Sequence, residues 1–344
     1  MKLDSFNYDL PESLIAQEPL DRRSGSRLLV CKRHTKSRQH DQFSNLLKHL
    51  PNDALVVFNN TKVINARLYC TSPTGASIEC FLVEQVSDSD WLVMAKPSKR
   101  LKLNETYVIS ESFTFTVLEK HVQEKLHLIR FSWDTKMSLL ATITRFGEPP
   151  LPPYIKTEDA DHYSERYQTI FASELGAIAA PTAGLHFDEE MLSNLSAAGI
   201  ETCSITLHVG FGTFTPITTE SILDHTMHFE QYSVSDAAAE TLNRALSQGR
   251  PIIAVGTTVC RCLEAHVKDG QFSPIDSGKT NLYITPGYTF KVVKGLVTNF
   301  HLPKSSLLIL VSALAGVDTI KEAYLEAVQQ NYRFYSFGDA MLLL

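Results

Sequence analysis

Four prolines in seven residues, Glu148-Pro149-Pro150-Leu151-Pro152-Pro153-Tyr154, constrain this chain more than any other segment. Each ring locks φ at roughly −65° and removes a backbone donor, so the run is an extended connection, not a helix or a central strand. It divides stretches of different character. Before it, residues 66–133 read as nearly pure β. Ile78–Glu84, Trp91–Ala95, Thr106–Ile109, Phe113–Leu118 and Leu126–Phe131 are short, β-rich and separated by polar or Gly/Pro breaks. That spacing predicts a small barrel or sandwich. A helix from Lys136 to Phe146, stopped by Gly147, leads into the prolines.

The flanking stretches alternate α and β. Arg27–Cys31 and a polar turn at His34–Ser37 suggest a hairpin, and Ala54–Phe58 reads as a buried strand ending at Asn59-Asn60. After the prolines, Asp188 is positioned to cap a helix ending at Gly199, and Ser235 one ending at Gly249. The strand Pro251–Val255 precedes a helix capped by Thr257 or Thr258, and a last helix starts at Asp318 and runs through Gln330. With 344 residues, two domains is the default. The predicted fold class is therefore a mixed α/β domain, discontinuous over 1–65 and 151–344, with residues 66–150 inserted as a small β-barrel-like domain.

Composition narrows the function classes. Hydrophobic residues make up 44% and charged residues 20%, as in an ordinary globular protein. A net charge of −6 argues against a partner held by bulk positive charge, so any RNA contact must come from local patches. The six cysteines include no C-x-x-C pair, and Cys260-Arg261-Cys262 does not suit a zinc motif; buried thiols in a reducing cytoplasm are the expectation. Met1–Phe6 lacks the apolar core of a signal peptide, and the apolar run Leu307–Ala315 is too short to span a bilayer, so no membrane association is expected.

Polar chemistry gathers in loops at predicted strand ends. Asn59-Asn60-Thr61-Lys62 offers amides, a hydroxyl and a cation, although an Asx-rich turn reads equally well. Ala179–Asp188 contains Pro181, Thr182, Gly184 and His186; its small residues admit a ligand, and the helix start beyond should keep His186 neutral. Nothing in sequence near His208 depresses its pKa; it precedes Gly210, Gly212 and Thr213, the glycines flanking Phe211. His225 and His228, with His208, offer three imidazoles, but no cysteine or carboxylate is placed to complete a zinc site, and no metal is expected. Val255–Thr258 forms a strand–loop–helix unit suited to a phosphate or carboxylate, without the glycines and lysine of a Walker A loop. Thr298–Ser305 adds Asn299, His301 and Lys304. Basic residues cluster at Arg22, Arg23 and Arg27, at Lys32, Arg33, Lys36 and Arg38, and at Lys96, Lys99, Arg100 and Lys102; each cluster alone could be a solvated turn.

Taken together, these segments resemble the S-adenosylmethionine:tRNA ribosyltransferase-isomerase family of queuosine biosynthesis. The matching stretches are Phe6–Pro19, Ser24–Val30, Phe58–Arg67, Pro150–Tyr154, Ala179–Phe187, His208–Phe214, Val255–Thr258, Pro286–Tyr288, Asn299–Ser305 and Tyr332–Met341, in family order. Asn65 and Phe211 depart from the family's proline and leucine. The resemblance implies transfer and isomerisation of the ribosyl group of S-adenosylmethionine onto 7-aminomethyl-7-deazaguanine in tRNA. The products would be epoxyqueuosine-tRNA, adenine and methionine, with S-adenosylmethionine consumed as a substrate and no cofactor. That chemistry needs a base for the proton beside the sulfonium and groups to protonate the leaving adenine. His186 is the expected base, His208 the second choice, and His301 orients the substrate. Asp339, Glu264 and Tyr288 are candidates to complement the sulfonium, with Arg261 on the same helix as Glu264. A cytoplasmic monomer holding tRNA through Arg22, Arg23, Lys32, Arg33, Lys36, Lys96, Lys99 and Arg100 completes the expectation. Two rivals use parts of it. A nucleotide-binding enzyme acting on small molecules needs the loops but not the patches, and a non-catalytic RNA-binding protein the reverse.

Overall fold

The structure, a computed structural model, describes residues 1–123, 125–152, 154–155, 163–210 and 217–344. Two β-systems organise it. The first uses β1 (Arg27–Lys32), β2 (Ser37–Gln42) and β3 (Leu55–Asn59) from the amino-terminal stretch. The short β4 (Thr61–Val63) follows directly. The second system is β5 (Arg67–Thr71), β6 (Ser77–Gln85), β7 (Asp90–Lys96), β8 (Thr106–Ser110), β9 (Phe113–Gln123) and β10 (Leu126–Trp133). Later come β11 (Glu174–Ala177), β12 (Glu201–Leu207), β13 (Glu230–Val234), β14 (Ile252–Val255), β15 (Ile275–Thr280), β16 (Val293–Asn299) and β17 (Ala340–Leu343).

Strands β5 to β10 close into an antiparallel barrel in the order β10-β7-β6-β5-β8-β9. The two-residue period of a strand sends alternate side chains inward, so Phe113, Phe115 and Val117 meet Leu68, Ile78, Trp91 and Ile129 in its core. Closure leaves no unpaired sheet edge. Arg67 and Glu148 exchange backbone hydrogen bonds of 3.2 and 2.8 Å, so the chain enters and leaves the barrel side by side. The expected mixed α/β class with a small barrel is the observed one.

The large sheet has nine strands in the order β15-β13-β12-β3-β14-β16-β17-β1-β2. Its centre, β12-β3-β14-β16, is parallel. A parallel strand covered on both faces must be apolar at every position, and β3 and β14 are buried throughout. Successive residues serve opposite cores: Leu55 and Val57 pack with Leu29 and Ala254, while Val56 and Phe58 pack with Leu28, Val30 and Val255. β17 runs antiparallel to β16 and parallel to β1. β4 and β11 form a separate parallel pair.

Six described α-helices cover these strands: α1 (Leu139–Phe146), α2 (Glu189–Ala197), α3 (Asp236–Ser247), α4 (Thr257–His266), α5 (Ser306–Ala315) and α6 (Val317–Gln329). Ser138, Asp188, Ser235 and Ser305 each accept a backbone N–H at their helix starts, as capping residues do. Two starts differ from the expectation. Gly256, at φ 99°, is the N-cap of α4, so neither Thr257 nor Thr258 caps it. Gly316, at φ 94°, turns α5 directly into α6, so that helix begins at Val317, one residue before Asp318. Among the described residues no helix is long and apolar enough to cross a membrane. All six cysteines are free thiols.

Candidate active site

The parallel strands deliver their carboxyl ends to one edge of the sheet, where an open α/β fold leaves a crevice. A cleft of about 720 Å³ lies there. Its walls are Ala180–Ala183, Gly256–Thr258 after β14, Thr298–Leu302 at the end of β16, and Tyr154, Tyr335 and Ser336. Among the described residues its lining contains hydroxyls, one amide and one imidazole, and no Asp, Glu, Lys or Arg. Beside it a chamber of about 300 Å³ is bordered by Arg22, Arg23, Ser26, Arg166, His186 and Ser336. Ser336 therefore borders both spaces, one neutral and one cationic.

His186 borders the chamber. Its Nδ1 lies 2.8 Å from the Ser26 hydroxyl, and its ring packs on Phe43 at 4.9 Å. Burial pushes its pKa down to about 4; the Asn299 amide opposes that shift, and the Arg333 and Arg23 guanidinium groups reinforce it. The imidazole is neutral, as the sequence suggested, but the cause differs. His186 closes the 3-10 turn Thr182–His186 and α2 begins only at Glu189, so desolvation rather than a helix dipole sets its state. The Asn299 Nδ2 donates to the carbonyls of Tyr335 and Ser336, 2.8 and 3.3 Å away. Two acceptor-only partners fix the orientation of the amide, and its oxygen and the His186 Nε2 are both left without a hydrogen-bond partner.

His301 lines the cleft and is pushed down to about 3 by burial. Its Nε2 lies 2.7 Å from the Thr298 hydroxyl. Tyr324 accepts its backbone N–H at 2.9 Å, and Tyr8 donates to its carbonyl at 2.5 Å. One hydrogen bond to the ring and two to the backbone fix His301 in place. His208 lies elsewhere: its Nδ1 is 2.8 Å from the Thr61 hydroxyl, and its ring covers Gly176 so closely that a Cβ there would approach within 2.7 Å. Burial lowers its pKa too, a shift not visible in its sequence neighbours.

Comparison with known proteins places this geometry. A profile of the family described as "Queuosine biosynthesis protein" matches residues 3–343. The chain belongs to that family. It is 47% identical over 347 residues to the S-adenosylmethionine:tRNA ribosyltransferase-isomerase of Carboxydothermus hydrogenoformans, with all of both chains covered. Identity to the protein of the same name from Desulfitobacterium hafniense is 46% over 345 residues, again with full coverage of both. The crystal structure of S-adenosylmethionine tRNA ribosyltransferase from Thermotoga maritima matches with a TM-score of 0.56 and 34% identity, covering 99% of this chain and 100% of that one.

Within this family member the fold brings together only some of the residues singled out from sequence. Pro181, Thr182, Thr257, Thr258, Asn299 and His301 line the cleft, and Arg22, Arg23 and His186 line the chamber. Asn59, Asn60, Thr61 and Lys62 are not on the wall of the cleft. The Asn59 side chain bonds both backbone groups of Leu207, Asn60 accepts from Thr206, and Thr61 and Lys62 enter β4. Gly184 packs against Thr169 and Phe171. Glu264 is fully buried and accepts the N–H groups of Lys291, Val292 and Val293 and the Tyr288 hydroxyl, so neither it nor Tyr288 faces the cleft. Asp339 accepts the N–H groups of Arg27 and Arg333 and ties β1 to the approach to β17. Lys304 pairs with Asp4 at 2.6 Å. Arg261 pairs with Glu230 at 2.7 Å and borders a third hollow with Gly210, His225 and His228. Gly212 and Thr213, like Phe211 and Pro153, lie outside the described residues.

Among the described residues no group of three His, Cys, Asp or Glu is placed to hold a metal, and His225 packs edge-on against Tyr283 instead. The basic residues divide as well. Lys32, Lys36, Lys96, Lys99 and Arg100 are exposed, whereas Arg33 donates to the carbonyls of Lys294 and Leu314, and Arg22 pairs with Glu190. Sequence reasoning missed Tyr335, Ser336, Ser26 and Arg166. The signal available for the first two was the run Tyr335-Ser336-Phe337-Gly338, with aromatic, hydroxyl and glycine in succession before β17.

Proposed function

We propose that this chain transfers and isomerises the ribosyl group of S-adenosylmethionine onto 7-aminomethyl-7-deazaguanine in tRNA, giving epoxyqueuosine-tRNA and releasing adenine and methionine. The end-to-end match to relatives named for that activity carries this reading. The cleft agrees with it chemically. The sulfonium acidifies the neighbouring C–H, so a neutral imidazole of low basicity suffices to take that proton. His186, which borders the cationic chamber beside Ser336 and lies within reach of the Asn299 amide of the cleft wall, is the base. His301 with Thr298, and the hydroxyls of Thr182, Thr257 and Ser336, position the nucleoside and pass the proton toward the leaving adenine. The aromatic rings of Tyr154 and Tyr335 on the cleft wall meet the sulfonium, and among the described residues no carboxylate lines the cleft.

The chamber lined by Arg22, Arg23 and Arg166 receives tRNA phosphate, with the exposed Lys32, Lys36, Lys96, Lys99 and Arg100 as outlying contacts. Residues 66–150 act as one inserted domain carrying part of that surface, and the enzyme works as a cytoplasmic monomer. The deciding measurement is product release from purified protein. Adenine and methionine should appear in equal amounts, and only with tRNA bearing the deazaguanine base. Equal release with ordinary tRNA, or no release at all, would remove the assignment.

A further inference from the structure

Among the described residues no charged side chain lines the cleft, yet its proposed substrate carries an α-carboxylate at the end of the methionyl half. Dipoles on the cleft wall can meet that charge: of the two described α-helices that start there, one is capped by Ser305, and α4 starts at a bare glycine. Gly256, at φ 99°, turns the chain from β14 into α4 without a side-chain cap. The first intrahelical bond is Cys260 N–H to the Gly256 carbonyl at 3.1 Å, so the N–H groups of Thr257, Thr258 and Val259 have no intrahelical acceptor. A second observation points to a ligand at the same place. Thr258 is only 6% exposed, it lines the cleft, and its Oγ1 has no hydrogen-bond partner. A buried hydroxyl left in that state costs stability unless a ligand completes it.

We infer that the first turn of α4, with the Thr258 hydroxyl, is the subsite for the α-carboxylate of S-adenosylmethionine; this rests on the activity proposed above. Free N–H groups, the positive end of the helix and a hydroxyl donor converge on one anion in a water-poor wall. A tRNA phosphate has a better destination among the arginines of the adjoining chamber, so the neutral cleft is left to the weaker anion. Removing this one charge-assisted hydrogen bond should cost about tenfold in affinity.

The test compares S-adenosylmethionine with its decarboxylated analogue as substrates, using modified tRNA and the wild type, Thr258→Val and Thr258→Ser. Wild-type kcat/KM should favour the carboxylated substrate by about tenfold or more. Thr258→Val should lose about tenfold for S-adenosylmethionine, through KM, and nothing for the analogue. Thr258→Ser should stay near wild type because it keeps the hydroxyl. Equal losses for both substrates, or none in Thr258→Val, would overturn the subsite while leaving wild-type turnover, and hence the activity, standing. No wild-type turnover of S-adenosylmethionine would instead overturn the activity, and the subsite with it.

Discussion

The His186 imidazole combines a chemical role with a cost to folding, and each has its own test. As the base it should account for about a hundred- to ten-thousand-fold in rate. His186→Gln should lose turnover within that range while S-adenosylmethionine and tRNA still bind, as a single-turnover assay beside equilibrium binding would show. Near-normal turnover would exclude imidazole at this position. Neither Glu264 nor Asp339 could then take over without leaving its present backbone partners. The cost to folding appears in acid. Burial holds His186 at about 4 and His301 at about 3 in the folded chain, against an ordinary value of 6.5. Below pH 6.5 the unfolded chain takes up protons that the folded chain refuses, so the stability these rings confer is complete above 6.5 and is lost as pH falls toward 4 and 3. Each ring contributes up to about 1.4 kcal/mol per pH unit in that window. Urea unfolding between pH 7 and 4.5 should show this slope, and His301→Gln should reduce it by about one proton. An unchanged slope would mean that His301 is protonated in the folded state.

At the scale of elements, buried ionic groups serve as fasteners. Glu264, on α4, gathers three backbone N–H groups and a tyrosine hydroxyl and so fixes the approach to β16, whose far end supplies Asn299. Glu264→Gln would set an amide NH2 against backbone donors, and unfolding free energy should fall by roughly 1–3 kcal/mol. Substrate preference should survive in the fraction that folds; a direct loss of S-adenosylmethionine binding in fully folded protein would place Glu264 in the site after all. Arg261 and Glu230 form a second fastener, between α4 and β13, with both side chains about 95% buried. Arg261→Ala takes the guanidinium from a buried carboxylate and should cost roughly 3–5 kcal/mol by chemical denaturation. The sequence singled out Glu264 and Arg261 as candidate site residues and passed over Glu230. It did not separate fasteners from site residues, since that difference depends on which backbone N–H groups arrive from distant loops.

For the whole molecule, a net charge of −6 and a polyanionic partner meet only through localised charge. Replacing Lys96, Lys99 and Arg100 with alanine should flatten the plot of log affinity for tRNA against log salt by about 2, with binding of S-adenosylmethionine unaltered. An unaltered slope would move the RNA away from the barrel. The mixed α/β class, the barrel, the buried central strands and the caps Asp188 and Ser235 were legible from sequence. These depend on short-range physics: a period of two in strands, continuous apolar runs where both faces are covered, and a hydroxyl or carboxylate before a helix. The candidate loops Ala179–Asp188, Val255–Thr258 and Thr298–Ser305 were legible for the same reason, as small and polar residues at strand ends. Tertiary structure alone decided which of their side chains share a space. Lys304 is drawn away by Asp4, 300 positions earlier, and Asn59 is consumed by Leu207. Tyr335 and Ser336 reach the cleft because β17 lies antiparallel beside β16. The depressed pKa of His186 is likewise a product of packing, since desolvation comes from residues far along the chain and leaves no local mark in the sequence.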